Sequence, residues 1–188
     1  MIPENIPLQF KQGVRILMLT LRGKEGGKIT KPDRVSKKVI SRNETEFDAM
    51  YEKLSLLRKG EERIYSTVDE RNMEKAIRSF KERQLEADYY DQETKFSFYT
   101  DVWNRWISCL QSPKAKNGTL FLIDIDDEGE NAQNVGKEEQ IRQEIIKNSI
   151  EIVFEYPTKN GKHIITKPFN PALVSFQIQK NAMMLLKF

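Results

Sequence analysis

An apolar segment that ends in alternating carboxylates constrains the fold of this chain more than any other feature. Residues 119–128 have the sequence Thr-Leu-Phe-Leu-Ile-Asp-Ile-Asp-Asp-Glu. Side chains alternate between the two faces of a strand, so the segment predicts a strand on which Asp124 and Asp126 share one face. Two neighbouring carboxylates repel unless a cation lies between them, and oxygen ligands suit Mg²⁺ or Mn²⁺. The segment therefore predicts a divalent metal site at the end of a strand.

The same acids have a simpler interpretation, in which they cap the next turn or face solvent. Aspartate disfavours strand interiors and favours turns, and Asp127 and Glu128 continue the acidic run. A second motif favours the metal site. The only histidine of the chain, His163, follows a strong turn signal at Asn160-Gly161 and has lysines beside it. Two aspartates and a histidine beside basic residues indicate a site for a metal and a phosphate.

The segment around the histidine predicts a β-hairpin. Residues 150–156 alternate like a strand, Asn160-Gly161 is typical of a type I′ turn, and residues 162–166 return antiparallel. With a two-residue loop, Thr158 is expected opposite His163, and Lys159 opposite Lys162. Cationic side chains beside a tight turn suit an anion, because turn amides and charge both point outward there. In the alternative interpretation, His163 is only a half-exposed strand residue.

The rest of the chain combines helix and strand patterns. Helices are predicted at about 44–58, after a cap at Asp69, around 99–110 and around 141–146, and further strands at 14–21, 63–68, 174–179 and 182–187. A loop is predicted at 23–28, with basic residues continuing beyond it. This order predicts an α+β fold, with a mixed, mostly antiparallel sheet and flanking helices, in one domain spanning residues 1–188.

Composition limits the classes of protein to which the chain can belong. Among its 188 residues, 31% are charged and 38% apolar, which is typical of a soluble globular protein with no membrane partner. The start of the chain has no secretory pattern, and a single cysteine, Cys109, fits a reducing compartment. A cytoplasmic location is therefore expected, in the host cytoplasm if the chain is phage-encoded. One histidine and one cysteine exclude a zinc site of the usual type.

Three further features have both a structural and a functional interpretation. The aromatic stripe containing Tyr99, Trp103 and Trp106 predicts a buried helix face, since a base-stacking platform needs exposed rings. The basic residues from 22 to 42 predict a solvated surface, with contact to a nucleic-acid backbone as the alternative. Arg71 is expected to solvate its helix, or alternatively to reach a phosphate.

Together these motifs resemble the archaeo-eukaryotic primase superfamily, and in particular its short phage and bacterial members of the primase-polymerase type. That superfamily has an apolar strand ending in Asp-x-Asp, a small-x-His motif on a later hairpin, and a further acid on a strand near the end. Residues 122–126, Leu-Ile-Asp-Ile-Asp, match the first motif, and residues 161–163, Gly-Lys-His, match the second. The third motif departs, because no Asp or Glu follows Glu155 and Asn181 is the nearest polar counterpart.

The resemblance implies a primase-polymerase-like, RRM-like catalytic core in residues 63–188, after an N-terminal strand, basic loop and helix in residues 1–62. It implies a metal-dependent nucleotidyltransferase that acts on nucleoside triphosphates and a DNA or RNA template. Mg²⁺ or Mn²⁺ would be the cofactor, and replication proteins such as a helicase would be partners. The implied site consists of the catalytic metal ligands Asp124 and Asp126, a further ligand at Asn181, and nucleotide-binding residues Thr158, Lys159, Lys162 and His163.

Two other functions are open on the same residues. The missing third acid fits a catalytically inactive module of the same fold that binds nucleic acid or protein. A metal-dependent nuclease has no dedicated signature in the sequence, although carboxylates on a sheet serve hydrolysis as well as synthesis.

Overall fold

The computed structural model of the chain describes residue 10 and residues 13–21, 34–90, 92–127 and 134–187. The predicted loop at 23–28, the basic residues from 22 to 31 and Glu128 lie outside these ranges. The elements within them confirm the predicted α+β class. In chain order they are β1 (Arg15–Leu21), β2 (Arg34–Ser41), α1 (Glu44–Leu57), β3 (Glu62–Thr67), α2 (Met73–Tyr89), α3 (Gln92–Thr100), α4 (Val102–Gln111), β4 (Phe121–Asp126), α5 (Glu138–Lys147), β5 (Ile152–Thr158), β6 (Gly161–Thr166), β7 (Gln179–Lys180) and β8 (Met183–Lys187).

The described strands form two sheets rather than the single mixed sheet that the sequence predicts. The first has the order β2-β1-β3-β8 and the second the order β5-β6-β4-β7. Every pairing between these strands is antiparallel. Because β8 pairs with β3, residues on both sides of position 62 build the first sheet. Local periodicity does not predict this division, since it depends on which distant strands pair.

The strand β2 has no counterpart in the sequence prediction. Its sequence, Arg-Val-Ser-Lys-Lys-Val-Ile-Ser, lacks regular alternation, and its first four residues are exposed. Among the described strands it pairs with β1 alone, at the edge of the first sheet. Lysines on an edge strand oppose pairing with other chains, so the charged pattern that suggests a solvated segment is also typical of an edge strand.

Within the described residues, three buried clusters hold the layers together. The first joins both sheets to α1 and includes Leu17, Leu54 and Leu122. The second lies between the first sheet and the helices α2 and α4. The third lies between the second sheet and α5 and includes Ile123. Since Leu122 and Ile123 point to different clusters, β4 is covered on both faces, as a continuous apolar run requires.

Two details of the helical prediction are wrong. The cap of α2 is Asn72, whose side chain accepts from the Lys75 amide at 2.9 Å, whereas Asp69 accepts from the Leu120 amide at 2.7 Å. The aromatic stripe is divided between α3 and α4 because the helix breaks at Asp101. The stripe is therefore only partly buried, and its exposed members are Tyr99, Val102 and Trp103. No helix in the described ranges is both long enough and apolar enough to cross a bilayer.

Candidate functional site

A cleft of about 760 Å³ is lined by residues from both sheets and contains most of the predicted site. The second sheet contributes Asp124 and Asp126 from β4 and His163 from β6. The first sheet contributes Arg63 and Tyr65 from β3. Further polar lining comes from β1, from the β5–β6 hairpin and from the segment around β7, namely Thr20, Thr158, Lys159, Asn160, Gln179, Lys180 and Asn181.

The register of β4 and β6 determines the centre of the cleft. Asp124 lies directly opposite His163 in this antiparallel pair, and Asp126 lies opposite Gly161. The Nε2 atom of His163 is 3.0 Å from Oδ1 of Asp124. Residues two apart on a strand share a face, so both aspartates and the histidine face the cleft. The structure therefore brings the Asp-x-Asp and Gly-x-His motifs together, although they are far apart in sequence.

Tyr156 holds the other side of the histidine ring. It lies opposite His163 in the β5–β6 pair, and its hydroxyl is 2.7 Å from Nδ1. Burial raises the pKa of the Tyr156 phenol, while a hydrogen bond from the Leu185 backbone lowers it. With a neutral imidazole, the phenol donates to Nδ1, and the imidazole proton then lies on Nε2 and is donated to Asp124. A line of hydrogen bonds thus runs from β8 of the first sheet to the aspartate of the second.

Removing the Tyr156 hydroxyl is expected to weaken this line without opening the core. Tyr156→Phe should lower the free energy of unfolding by about 1–2 kcal/mol, because the Leu185 amide and Nδ1 of His163 both lose a buried partner. Urea denaturation measures this loss, and ¹⁵N chemical shifts of the imidazole should move toward a tautomer mixture. The control is Tyr99→Phe, which removes an exposed hydroxyl bonded to Asp88. Unchanged imidazole shifts would contradict the assigned tautomer.

The hairpin turn lies one residue earlier than the sequence predicts. Thr158 pairs with Gly161, so Lys159 and Asn160 form the turn and the predicted pairing of Thr158 with His163 is wrong. Gly161 belongs to β6 and has a φ of +153°. A Cβ at this position would lie 2.0 Å from the carbonyl oxygen of Ile125. Glycine is required because the backbone of β4 passes close to β6, which explains why the turn signal is displaced.

The corrected register removes Lys162 from the predicted site. Lys162 lies opposite Ile125 in the β4–β6 pair, on the sheet face that is covered by α5. Its Nζ atom is 2.8 Å from Oε1 of Glu138. Since neighbouring residues on a strand face opposite sides, Lys162 does not share the cleft with His163. Thr158 and Lys159, by contrast, do line the cleft.

Asn181 reaches the rim of the cleft, but its side chain is held by other groups. Its Oδ1 accepts from Nη1 of Arg71 at 2.5 Å, and its Nδ2 donates to the Gln111 carbonyl at 3.2 Å. A guanidinium bonded to the amide oxygen places a positive charge where a metal ion would have to approach. The structure therefore opposes the predicted role of Asn181 as a metal ligand.

Arg71 has a different place from both of its predicted ones. It is 1% exposed, so it neither solvates a helix nor lines the cleft. Burial lowers the pKa of its guanidinium, and the neighbouring Asp69 opposes this shift. Its backbone pairs with Val14 and with Lys116. The buried Arg71 thus contacts the residue before β1, the segment after α4 and, through Asn181, the rim of the cleft.

Two cationic residues of the cleft are absent from the site that the sequence predicts. Arg63 lies on β3, and Lys180 lies on β7 with its Nζ 5.4 Å from the Phe121 ring centre. The pairing of β7 with β4 carries Lys180 to the same sheet as the aspartates. Nothing local in the sequence indicates this pairing. A corrected hairpin register would have indicated Tyr156, since it then lies directly opposite the histidine.

The charges of the cleft suit a polyanion and a hard cation. Among the described residues that line it, Asp124 and Asp126 are the only carboxylates, and Arg63, Lys159 and Lys180 are cationic. In the described part of the chain, no group of three or more His, Cys, Asp or Glu side chains is arranged to hold a metal ion. Mg²⁺ commonly binds through one or two carboxylates together with water and substrate phosphates. The donor set therefore fits a cation shared with a phosphate ligand.

Comparison of the chain with family models, with curated proteins and with solved structures found no match. What the structure itself establishes is an α+β protein with two antiparallel sheets and a cleft lined by both. Two aspartates, a fixed histidine and three cationic side chains face that cleft.

Proposed function

We propose that the chain is a metal-dependent nucleotidyltransferase of the primase-polymerase type, with a primase-polymerase-like core. It binds a nucleoside triphosphate in the cleft and extends a strand along a DNA or RNA template. The observation that carries this proposal is the position of Asp124 directly opposite His163, with Asp126 on the same face. Cationic residues around these side chains further support a triphosphate ligand, since they offset its negative charge.

The charged residues of the cleft and His163 each have a role in such a reaction. Asp124 and Asp126 would hold Mg²⁺ or Mn²⁺, which when bound neutralises phosphate charge and acidifies the attacking hydroxyl. The Nε2 proton of His163, which Asp124 accepts in the structure, would be donated to a phosphate oxygen once Asp124 holds the metal, while Tyr156 keeps the ring in place. The 3′-hydroxyl loses its proton to water as its oxygen bonds to the α-phosphorus and the bond to pyrophosphate breaks. Arg63, Lys159 and Lys180 offset the charge of the triphosphate and of the leaving pyrophosphate.

A second candidate is a catalytically inactive module of the same fold that binds nucleic acid. It is favoured by the engagement of Asn181 with Arg71, which leaves two carboxylates among the described residues of the cleft. Such a module would bind nucleic acid without metal, and its affinity would fall steeply with salt.

Thermal unfolding with Mn²⁺ and a non-hydrolysable nucleoside triphosphate analogue tests the cleft as a ligand site. A ligand at 100 times its Kd stabilises the folded state by about 2.7 kcal/mol, which corresponds to a rise in Tm of roughly 5–10 °C for a chain of this size. Asp124→Asn combined with Asp126→Asn should remove this rise, because it deletes two charges and keeps the side-chain shapes. The same measurement with the analogue but without Mn²⁺ shows how much of the rise in Tm requires the metal.

The matched control is Glu151→Gln combined with Glu155→Gln, which deletes two charges from exposed side chains outside the cleft. This control should keep the full rise in Tm. A rise that persists in the aspartate variant, or that is absent from the wild-type chain, would contradict the proposed site.

A further inference from the structure

A second groove adjoins the cleft between β2 and α4. It has a volume of about 490 Å³. Val35 lines both the groove and the cleft, so the two meet at this residue. The other lining residues are Ser36, Lys37 and Lys38 of β2 and Trp103 and Asn104 of α4.

Trp103 is the largest side chain of the groove, and it is 53% exposed. The other tryptophan of the chain, Trp106, packs edge-on against Phe80 at 5.9 Å between ring centres and belongs to the second buried cluster. Trp103 and Trp106 are three positions apart on α4 and share a face, and Trp103 lies at its solvent-exposed edge. A large aromatic ring left open to solvent inside a groove offers a flat apolar face to a ligand, and nucleic-acid bases stack on such faces.

The walls of the groove carry positive charge. The residues of β2 include Arg34, Lys37 and Lys38, and neither β2 nor α4 contains an aspartate or glutamate. The Nζ atom of Lys38 is 3.0 Å from the neutral side-chain oxygen of Gln111. Among the described residues beside the groove, Glu62 accepts a hydrogen bond from Ser36, and Asp101 accepts one from Asn104. Both charged side chains that line the groove are lysines, which suits an anionic ligand.

We propose that this groove binds single-stranded nucleic acid, with a base stacked on Trp103 and phosphates beside Lys37 and Lys38. The strand then enters the cleft at Val35. A single strand fits because its bases expose their faces, whereas the bases of a duplex are already stacked on one another. That the strand serves as template rests on the proposed function, but strand binding by the groove does not.

The test is binding of a labelled 12-nucleotide oligothymidine to the full chain, without metal or nucleotide, followed by fluorescence anisotropy. Trp103→Ala should weaken binding by about 5- to 100-fold, the range expected for the loss of one stacked base. Trp103→Phe should recover part of the affinity because it keeps a ring. In a Trp106→Phe background, the oligonucleotide should quench the fluorescence of Trp103, the only remaining tryptophan.

The matched control is Tyr89→Ala, which removes a ring that is 91% exposed and lies outside the groove. It should leave the affinity unchanged. Lys37→Gln with Lys38→Gln should weaken binding and flatten its dependence on salt. Equal affinity for a duplex or for an acidic peptide of the same length would overturn the proposal, as would equal losses from Trp103→Ala and Tyr89→Ala.

The two proposals fail separately. Strand binding that depends on Trp103, without any stabilisation by Mn²⁺ and nucleotide, would support the groove and contradict the nucleotidyltransferase. If nucleotide raises the Tm only when Asp124 and Asp126 are present, but strand binding does not depend on Trp103, the nucleotidyltransferase would be supported and the groove contradicted.

Discussion

Alanine at Gly161 is expected to lower the free energy of unfolding by about 4 kcal/mol or more, among the largest effects of a single substitution. The φ of +153° is strained for any residue with a Cβ, and the added atom would lie 2.0 Å from the carbonyl oxygen of Ile125. That oxygen is backbone, so relief requires β4 and β6 to separate. Since this pair places Asp124 opposite His163, nucleotide binding should be lost with stability. Urea denaturation and the analogue-dependent rise in Tm measure the two losses.

Gly118→Ala separates backbone strain from steric contact. Gly118 also has a positive φ, +118°, but an added Cβ would meet no atom within 4 Å. Its replacement should therefore cost only the backbone strain, about 1–3 kcal/mol. Equal losses at the two glycines would show that the approach of β4 to Gly161 is not what makes glycine necessary there.

The second large effect concerns the proposed nucleotidyl transfer, assayed with primed template, nucleotides and Mn²⁺. Asp124→Asn combined with Asp126→Asn should slow primer extension by at least about 100-fold, since changes to groups that only support metal ligands already cost about 10- to 100-fold. The folded state should persist, because the amides keep the shape of the carboxylates. Extension on a gel and urea denaturation of the same samples distinguish lost chemistry from lost structure.

The Glu151→Gln and Glu155→Gln control should extend primers at the wild-type rate. Extension by the aspartate variant at that rate would refute the assigned metal ligands. If the wild-type chain does not extend primers but binds them in a salt-sensitive way, the inactive module replaces the enzyme as the better proposal.

Elements with a strong local pattern were predictable from the sequence. The continuous apolar run of β4 predicts a strand. The structure covers this strand on both faces, since Leu122 belongs to the first buried cluster and Ile123 to the third. The helix α1 was placed to within one residue, since its apolar residues recur at helical spacing and Asn43 caps it. The shared face of the two aspartates followed from strand geometry alone.

Features that depend on distant contacts were not predictable in this way. Asn181 was assigned to a metal, but the residue that holds it, Arg71, lies 110 positions away in sequence. The predicted hairpin register is wrong because glycine is required at position 161 by the close backbone of β4, and not by the turn. The edge strand β2 is not predicted because its charged residues interrupt the alternation of apolar and polar side chains that indicates a strand. In each case the deciding interaction comes from a segment that local periodicity does not contain.

During synthesis on the ribosome, β3 emerges long before β8, the strand that covers its open edge. Until then the nascent chain exposes unpaired backbone groups, which favour association with other chains. The cleft is also incomplete, because Met183 and Leu185 of β8 form part of its lining. A translation product that stops before β8 therefore contains both the acidic and the histidine motif but lacks part of the cleft lining. Because the edge of β3 stays unpaired in such a product, we expect it to be a substrate of cellular quality control.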